Sequence, residues 1–86
     1  MDRLDMSLLF DYYGALLSDK QRDCYDLYYN EDLSLAEIAE IKGISRQGVW
    51  DNIRHAENNL MDIEEKTGLI AKVQELEQCL KTYQTN

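Results

Sequence analysis

Apolar residues along this chain recur at intervals of three and four, the spacing that gathers side chains onto one face of a helix. The first such stretch, from about Met6 to Leu17, puts Leu9, Tyr13, Leu16 and Leu17 on a common stripe that Phe10 widens, and Gly14 would tolerate close helix contact. Ser18 then opens SDKQ, in which the serine oxygen can accept the backbone N–H three residues on and Gln21 can reach back, so a second helix starts near Asp19. Cys24, Leu27 and Tyr28 supply its inner face, and Asn30, Glu31 and Asp32 end it. Ser34 opens SLAE, a second capping box with Glu37 in the reciprocal position, and predicts a short third helix to about Ile41. Gly43 follows as the left-handed residue that lets the chain turn a corner within a few positions. Ser45 caps a fourth helix whose inward stripe is Val49, Ile53, Ala56, Leu60 and Ile63. Leu35, Ile38, Ala39 and Ile44 are the surface that this stripe packs on.

Thr67 and Gly68 mark a break, after which Leu69, Val73, Leu76, Leu80 and Tyr83 stand four, three, four and three apart. That is the heptad seam of two helices packed along their length. Two heptads cannot hold a coiled coil alone, so an arm for a homodimer and a strap across the same domain are both open, with the arm favoured. The absence of proline leaves all these helices free to run. The expected fold is all-α, a small helical domain over residues 1–66 followed by a C-terminal helical segment over 67–86.

Composition narrows the function. Eighty-six residues allow one domain and a small core. No apolar run has the length that crosses a bilayer, and MDRLDMSLLF lacks a basic region ahead of a cleavable apolar one, so a soluble, cytoplasmic protein is expected. Cys24 and Cys79 stand apart without CxxC spacing, which predicts reduced thiols and neither a disulfide framework nor a metal site. The net charge of -8 is unevenly spread. Residues 34–56 carry three acids and three bases, whereas the segments before and after have nets of -5 and -3. A neutral unit flanked by acidic ones is weak support for nucleic acid.

Within SLAEIAEIKGISRQGVWDNI, the small Ala39, the turn residue Gly43 and the apolar Val49 have the spacing of a helix-turn-helix. Ala39 lets the two helices cross closely, Gly43 makes the corner, and Val49 fills the angle. On such a unit the start and outer face of the second helix can enter the major groove, placing Arg46, Gln47, Asp51 and Arg54 outward. Arginine can give two hydrogen bonds to guanine, glutamine two to adenine, and an acid can accept from cytosine. Lys20, Arg22, Lys42 and Ser45 are the candidate backbone contacts. Against this stands a solvated polar face of equal weight for any one residue. Trp50, one turn from both Arg46 and Arg54, can stack between them or cover the core edge, and the latter is favoured. His55 has no acid or nucleophile at fixed spacing, so no catalytic residue, metal or cofactor is expected. The aromatic residues Phe10, Tyr12, Tyr13, Tyr25, Tyr28 and Tyr29 lack interleaved bases and fit helix packing better than a platform for single strands.

From LLFDYYGALLSDKQR through LYYNEDLSLAEIAEIKGISRQGVWDNIRHAE to about Lys66, the chain resembles the YlxM family of small bacterial proteins, whose fold is related to region 4 of sigma factors. The family pattern matches Ser45, Arg46, Gln47, Asp51, Asn52 and Arg54, while Gly48 stands where alanine is usual and Trp50 where tyrosine is usual. The tail after Leu69 is less family-like. The resemblance implies a sigma region 4-like helix-turn-helix protein associated with the signal recognition particle pathway, by gene neighbourhood with the particle's GTPase subunit, and a regulatory role. Two functions follow. One is a non-enzymatic, dimeric regulator that binds DNA. The other is an interaction module that binds the particle, through its basic GTPase subunit or its RNA, and modulates GTP hydrolysis, an acidic surface being suited to the basic protein.

Overall fold

A computed structural model describes residues 6–84, with side chains to residue 82. Five α-helices follow one another: α1 (Met6–Tyr13), α2 (Asp19–Tyr29), α3 (Leu35–Lys42), α4 (Arg46–Thr67) and α5 (Leu69–Gln84). No strand occurs among the described residues.

Local chemistry accounts for most boundaries. Ser18 Oγ accepts the Gln21 N–H at 3.2 Å to start α2. Before α3 the capping box is complete: Ser34 Oγ accepts the Glu37 N–H at 3.1 Å, and Glu37 Oε1 accepts the Ser34 N–H at 2.9 Å. Gly43 has φ of 67°, and the Ile44 N–H reaches back to the Ala39 carbonyl at 3.1 Å, so the corner between α3 and α4 is closed by backbone bonds. Ser45 Oγ accepts the Gly48 N–H at 2.9 Å. A Cβ at Gly48 would sit 3.2 Å from that same oxygen, so an alanine there would have to push the cap aside slightly.

The first helix differs from expectation. Its α-helical part stops at Tyr13, and Gly14–Leu16 tighten into a 3-10 turn before Leu17 becomes extended. The change of pitch throws Leu16 outward, 69% exposed, and brings Leu17 inward at 6%. Gly14 is buried against the Phe10 ring, where a Cβ would come within 3.2 Å, so glycine permits this close turn.

The long helix α4 is the spine of two joined cores. Toward its start, Val49 and Ile53 meet Cys24 of α2 and Ile38 of α3, with Leu27, Tyr28, Leu35, Ala39, Ile44 and Trp50 around them. Toward its end, Ala56 and Leu60 meet Leu9, Tyr13, Leu17, Tyr25 and Ile70. The expected stripe of Val49, Ile53, Ala56 and Leu60 is fully buried, but Ile63 is only partly so and Glu64 takes the next inward place at 7% exposure. Tyr25, outside the expected inner face of α2, is buried and stacks on Phe10 with ring centroids 4.7 Å apart.

Glu64 organises the junction of α4 and α5. Gly68, with φ of 62°, ends α4 in the left-handed region. The Glu64 carboxylate then accepts the Ile70 N–H at 3.0 Å and the Ala71 N–H at 3.1 Å, which caps α5 from within the preceding helix. It also accepts the Tyr13 hydroxyl at 2.5 Å, while that hydroxyl lies 2.9 Å from Thr67 Oγ1. Burial pushes the Glu64 pKa up, but hydrogen bonds from Tyr13, Ile70 and Ala71 outweigh it and hold the carboxyl below its usual range. Tyr13 is pushed the other way, first by its burial and then by that bond to an anion.

Beyond its first turn α5 does not strap across the domain. Ile70 is buried, yet Leu69, Leu76 and Leu80 are 47%, 58% and 59% exposed and Val73 is half-buried. The molecule is accordingly elongated, 55 × 24 × 22 Å. The side chain of Tyr83 lies outside the described residues.

Candidate functional site

The corner of α3 and α4 presents the face that the spacing anticipates. Val49 is sealed in the angle at 0% exposure, and Arg46, Gln47, Asp51 and Arg54 all lie exposed on the outer side of α4. An open recess of about 390 Å³ runs beside the first turn of α4, lined by Tyr28, Leu35, Arg46, Gln47 and Trp50. Its floor is apolar and aromatic, and Arg46 supplies a cation at its edge. Trp50 is half-buried, edge-on to Tyr28 with centroids 6.4 Å apart, and carries the Arg54 guanidinium 5.8 Å above its ring. It therefore covers the core edge and holds one arginine.

Most of the polar residues at this face already have partners. Gln47 donates to Asp51 Oδ1 at 2.9 Å, so the glutamine and the acid form one unit along the ridge. Arg54 lies 3.8 Å from Glu57, whose other oxygen accepts the Tyr29 hydroxyl at 2.6 Å. That bond, with some burial, pushes the Tyr29 pKa up. Ser45 spends its oxygen on the α4 cap.

The four candidate backbone contacts are not equivalent. Lys42 donates to Asp23 of α2 at 2.7 Å, and this hydrogen bond is the largest of the effects that hold the Asp23 carboxyl below its usual range. Arg22 is engaged by Asp19 at 2.9 Å. Among the described residues Arg46 and Lys20 make no ion pair, and both are exposed. The Asp23–Lys42 pair joins residues 19 apart in sequence, which no local spacing rule reveals. It ties α2 to the end of α3, so the first helix of the helix-turn-helix is oriented electrostatically as well as by Ile38.

Three turns of α4 thus display an exposed polar corner, an aromatic recess and a cation at its rim, on a surface otherwise neutralised by its own acids. Among the described residues no group of three or more His, Cys, Asp or Glu side chains could hold a metal ion, and no helix is long and apolar enough to cross a membrane. Cys24 is fully buried, which pushes its thiol pKa up, and Cys79 is exposed.

The family model described as "Putative helix-turn-helix protein, YlxM / p13 like" matches residues 1–86. The chain belongs to the YlxM / p13-like family. A family member from Caldanaerobacter subterraneus subsp. tengcongensis is 56% identical over 75 residues, covering 87% of this chain and 64% of the relative. A second, from Thermoanaerobacter sp. strain X514, is 53% identical over 75 residues with the same coverage, and one from Clostridium perfringens strain 13 is 51% identical over 72 residues, 84% of this chain and 64% of the relative. The chain spans about 64% of the length of these YlxM-like relatives. Membership accounts for the helix-turn-helix corner at α3 and α4 and for the all-helical frame around it.

Proposed function

We propose that this protein is a non-enzymatic helix-turn-helix regulator of the signal recognition particle pathway, acting in the cytoplasm as a homodimer and binding duplex DNA through the first turns of α4. The observation that carries the DNA contact is Arg46. It is exposed at the start of the second helix of the unit, has no ion pair among the described residues, and stands where a recognition helix offers its first side chain to a base edge. The acidic remainder opposes this less than the net charge implies, since screening over about 8 Å at physiological ionic strength mutes charges on the far side.

Fluorescence anisotropy with duplex DNA at two salt concentrations tests it. With Lys20 the one cationic phosphate-contact candidate free of an ion pair among the described residues, the slope of log affinity against log salt should be about -0.9 for each subunit. Arg46→Glu should weaken binding by roughly 30- to 100-fold, because a bidentate contact is lost and an acid is set against phosphate. Binding of the unaltered protein no tighter than that of an unrelated acidic protein overturns the DNA reading.

A second reading is favoured by the ion pairs themselves. Asp23 and Asp19 occupy two of the four phosphate-contact candidates, and the acidic helices leave a surface suited to the basic GTPase subunit of the particle and less so to its RNA. Asp23→Asn separates the two readings in one measurement. Releasing Lys42 should raise DNA affinity a few-fold and steepen the salt slope by about 0.9 per subunit. If the acidic face instead docks a basic protein, the same substitution lowers affinity for the purified particle components and leaves DNA unbound.

A further inference from the structure

We infer that α5 pairs with the α5 of a second copy in parallel, as a short two-stranded coil whose register is set by Lys72 and Glu77. The inference rests on the homodimer reading above and adds its geometry. In the heptad that the seam defines, Leu69, Leu76 and Tyr83 fall at d and Val73 and Leu80 at a. Val73 at a between Leu69 and Leu76 at d is the combination that favours two parallel strands, and it holds over the first heptad, Leu80 at a lying outside it. The flanks decide the direction. Lys72 falls at g and Glu77 at e, five residues later, which is the offset at which g of one strand meets e of the other in a parallel pair. Two-fold symmetry makes that ion pair twice. Antiparallel strands in full overlap would put Glu77 against its own copy and Lys72 against Cys79. Neither Lys72 nor Glu77 makes an ion pair among the described residues.

The fold also prepares the strand. A free helix of this length is marginal in water, since its first turn must be nucleated without return. Here the Glu64 carboxylate already fixes the Ile70 and Ala71 N–H groups, and the Ile70 side chain is locked in the core at 0% exposure. Ile70 occupies an e position, so the domain takes one flank of the first turn and leaves the a and d seam uncovered, with Leu76 and Leu80 more than half exposed. Parallel pairing puts both domains at the same end of the coil.

Sedimentation across a concentration series decides the matter, with circular dichroism to check that each variant is helical. The full chain should dimerise in the micromolar range. Leu76→Asp should raise the dimer dissociation constant by roughly a hundredfold or more, as both copies lose the central layer, while Gln78→Asp, at f, should leave it unchanged. Lys72→Glu and Glu77→Lys should each weaken the dimer by about three- to fivefold, and the double exchange K72E/E77K should restore it. A monomer at every concentration overturns the homodimer itself. A dimer whose charge exchange fails to rescue overturns the parallel register and leaves the homodimer standing. DNA titration of the Leu76→Asp monomer, which retains Arg46, keeps either failure distinct from failure of DNA binding.

Discussion

Glu64→Ala should lower the stability of the domain by about 3–4 kcal/mol and its Tm by on the order of 20 °C. The carboxylate is 7% exposed and accepts three hydrogen bonds, from the Tyr13 hydroxyl and from the N–H groups of Ile70 and Ala71. Alanine leaves the two N–H groups at the start of α5 without acceptors, and the cost of a buried orphan donor is larger than the net gain of an ordinary bond. Glutamine would not repair the site, because its amide nitrogen brings a donor toward donors. Tyr13→Phe removes one bond and should cost about a third as much, since Thr67 remains to hold its own side chain and the backbone bonds persist. The same network makes stability depend on pH with a definite sign. The folded carboxyl titrates below its unfolded counterpart, so its contribution is complete at pH values above the usual carboxylate range and is lost as pH falls through the lowered folded pKa. Urea titrations at a series of pH values from neutrality downward should show the difference between the unaltered protein and Glu64→Gln shrinking with acid. A gap that stays constant would mean that Glu64 is not ionised in the fold.

Ile38→Ala should cost about 3–4 kcal/mol, and the loss should be concentrated in the helix-turn-helix. The helix α3 has eight residues, and Ile38 is its fully buried side chain, inserted among Cys24, Val49 and Ile53. Leu35 and Ala39 only lean on this cluster. Without Ile38 the short helix keeps its capping box and the Asp23–Lys42 pair, both near the surface and each of modest worth. Those cannot replace the burial of a whole branched side chain. Hydrogen exchange should therefore show α3 amides opening well before those of the second half of α4, whose contacts with Leu9, Tyr13 and Ile70 are untouched. Uniform loss of protection along the chain would show that the two cores unfold as one unit.

What was legible in the sequence was local. Ser34 with Glu37, Ser45 before α4 and Gly43 at the corner each act within four residues, and each does what its spacing implied. The stripe of Val49, Ile53, Ala56 and Leu60 was equally plain, because one helix repeats its own face. Leu17 lies inward as the spacing implied, but Leu16 does not, since the change from α to 3-10 pitch depends on how Gly14 settles on Phe10 and not on periodicity. Glu64 carried a signal that charge concealed. It stands four residues after Leu60, in register with the inward face, but within a run of acids it counts as solvated until Tyr13 and the start of α5 are placed around it. The polar face at Arg46 was placed by the helix phase; Asp19 and Glu57 stand three residues from Arg22 and Arg54, a local signal left unused, whereas the acid that occupies Lys42 became visible only with the packing of α2.

The two cysteines differ enough to be useful at the bench. Cys24 is at 0% exposure with its thiol pKa pushed up by burial, while Cys79 lies open on α5. A maleimide dye at neutral pH should consequently react once per chain and without mutagenesis, placing its fluorophore on the projecting rod, where rotational correlation times report whether that rod tumbles alone or in company.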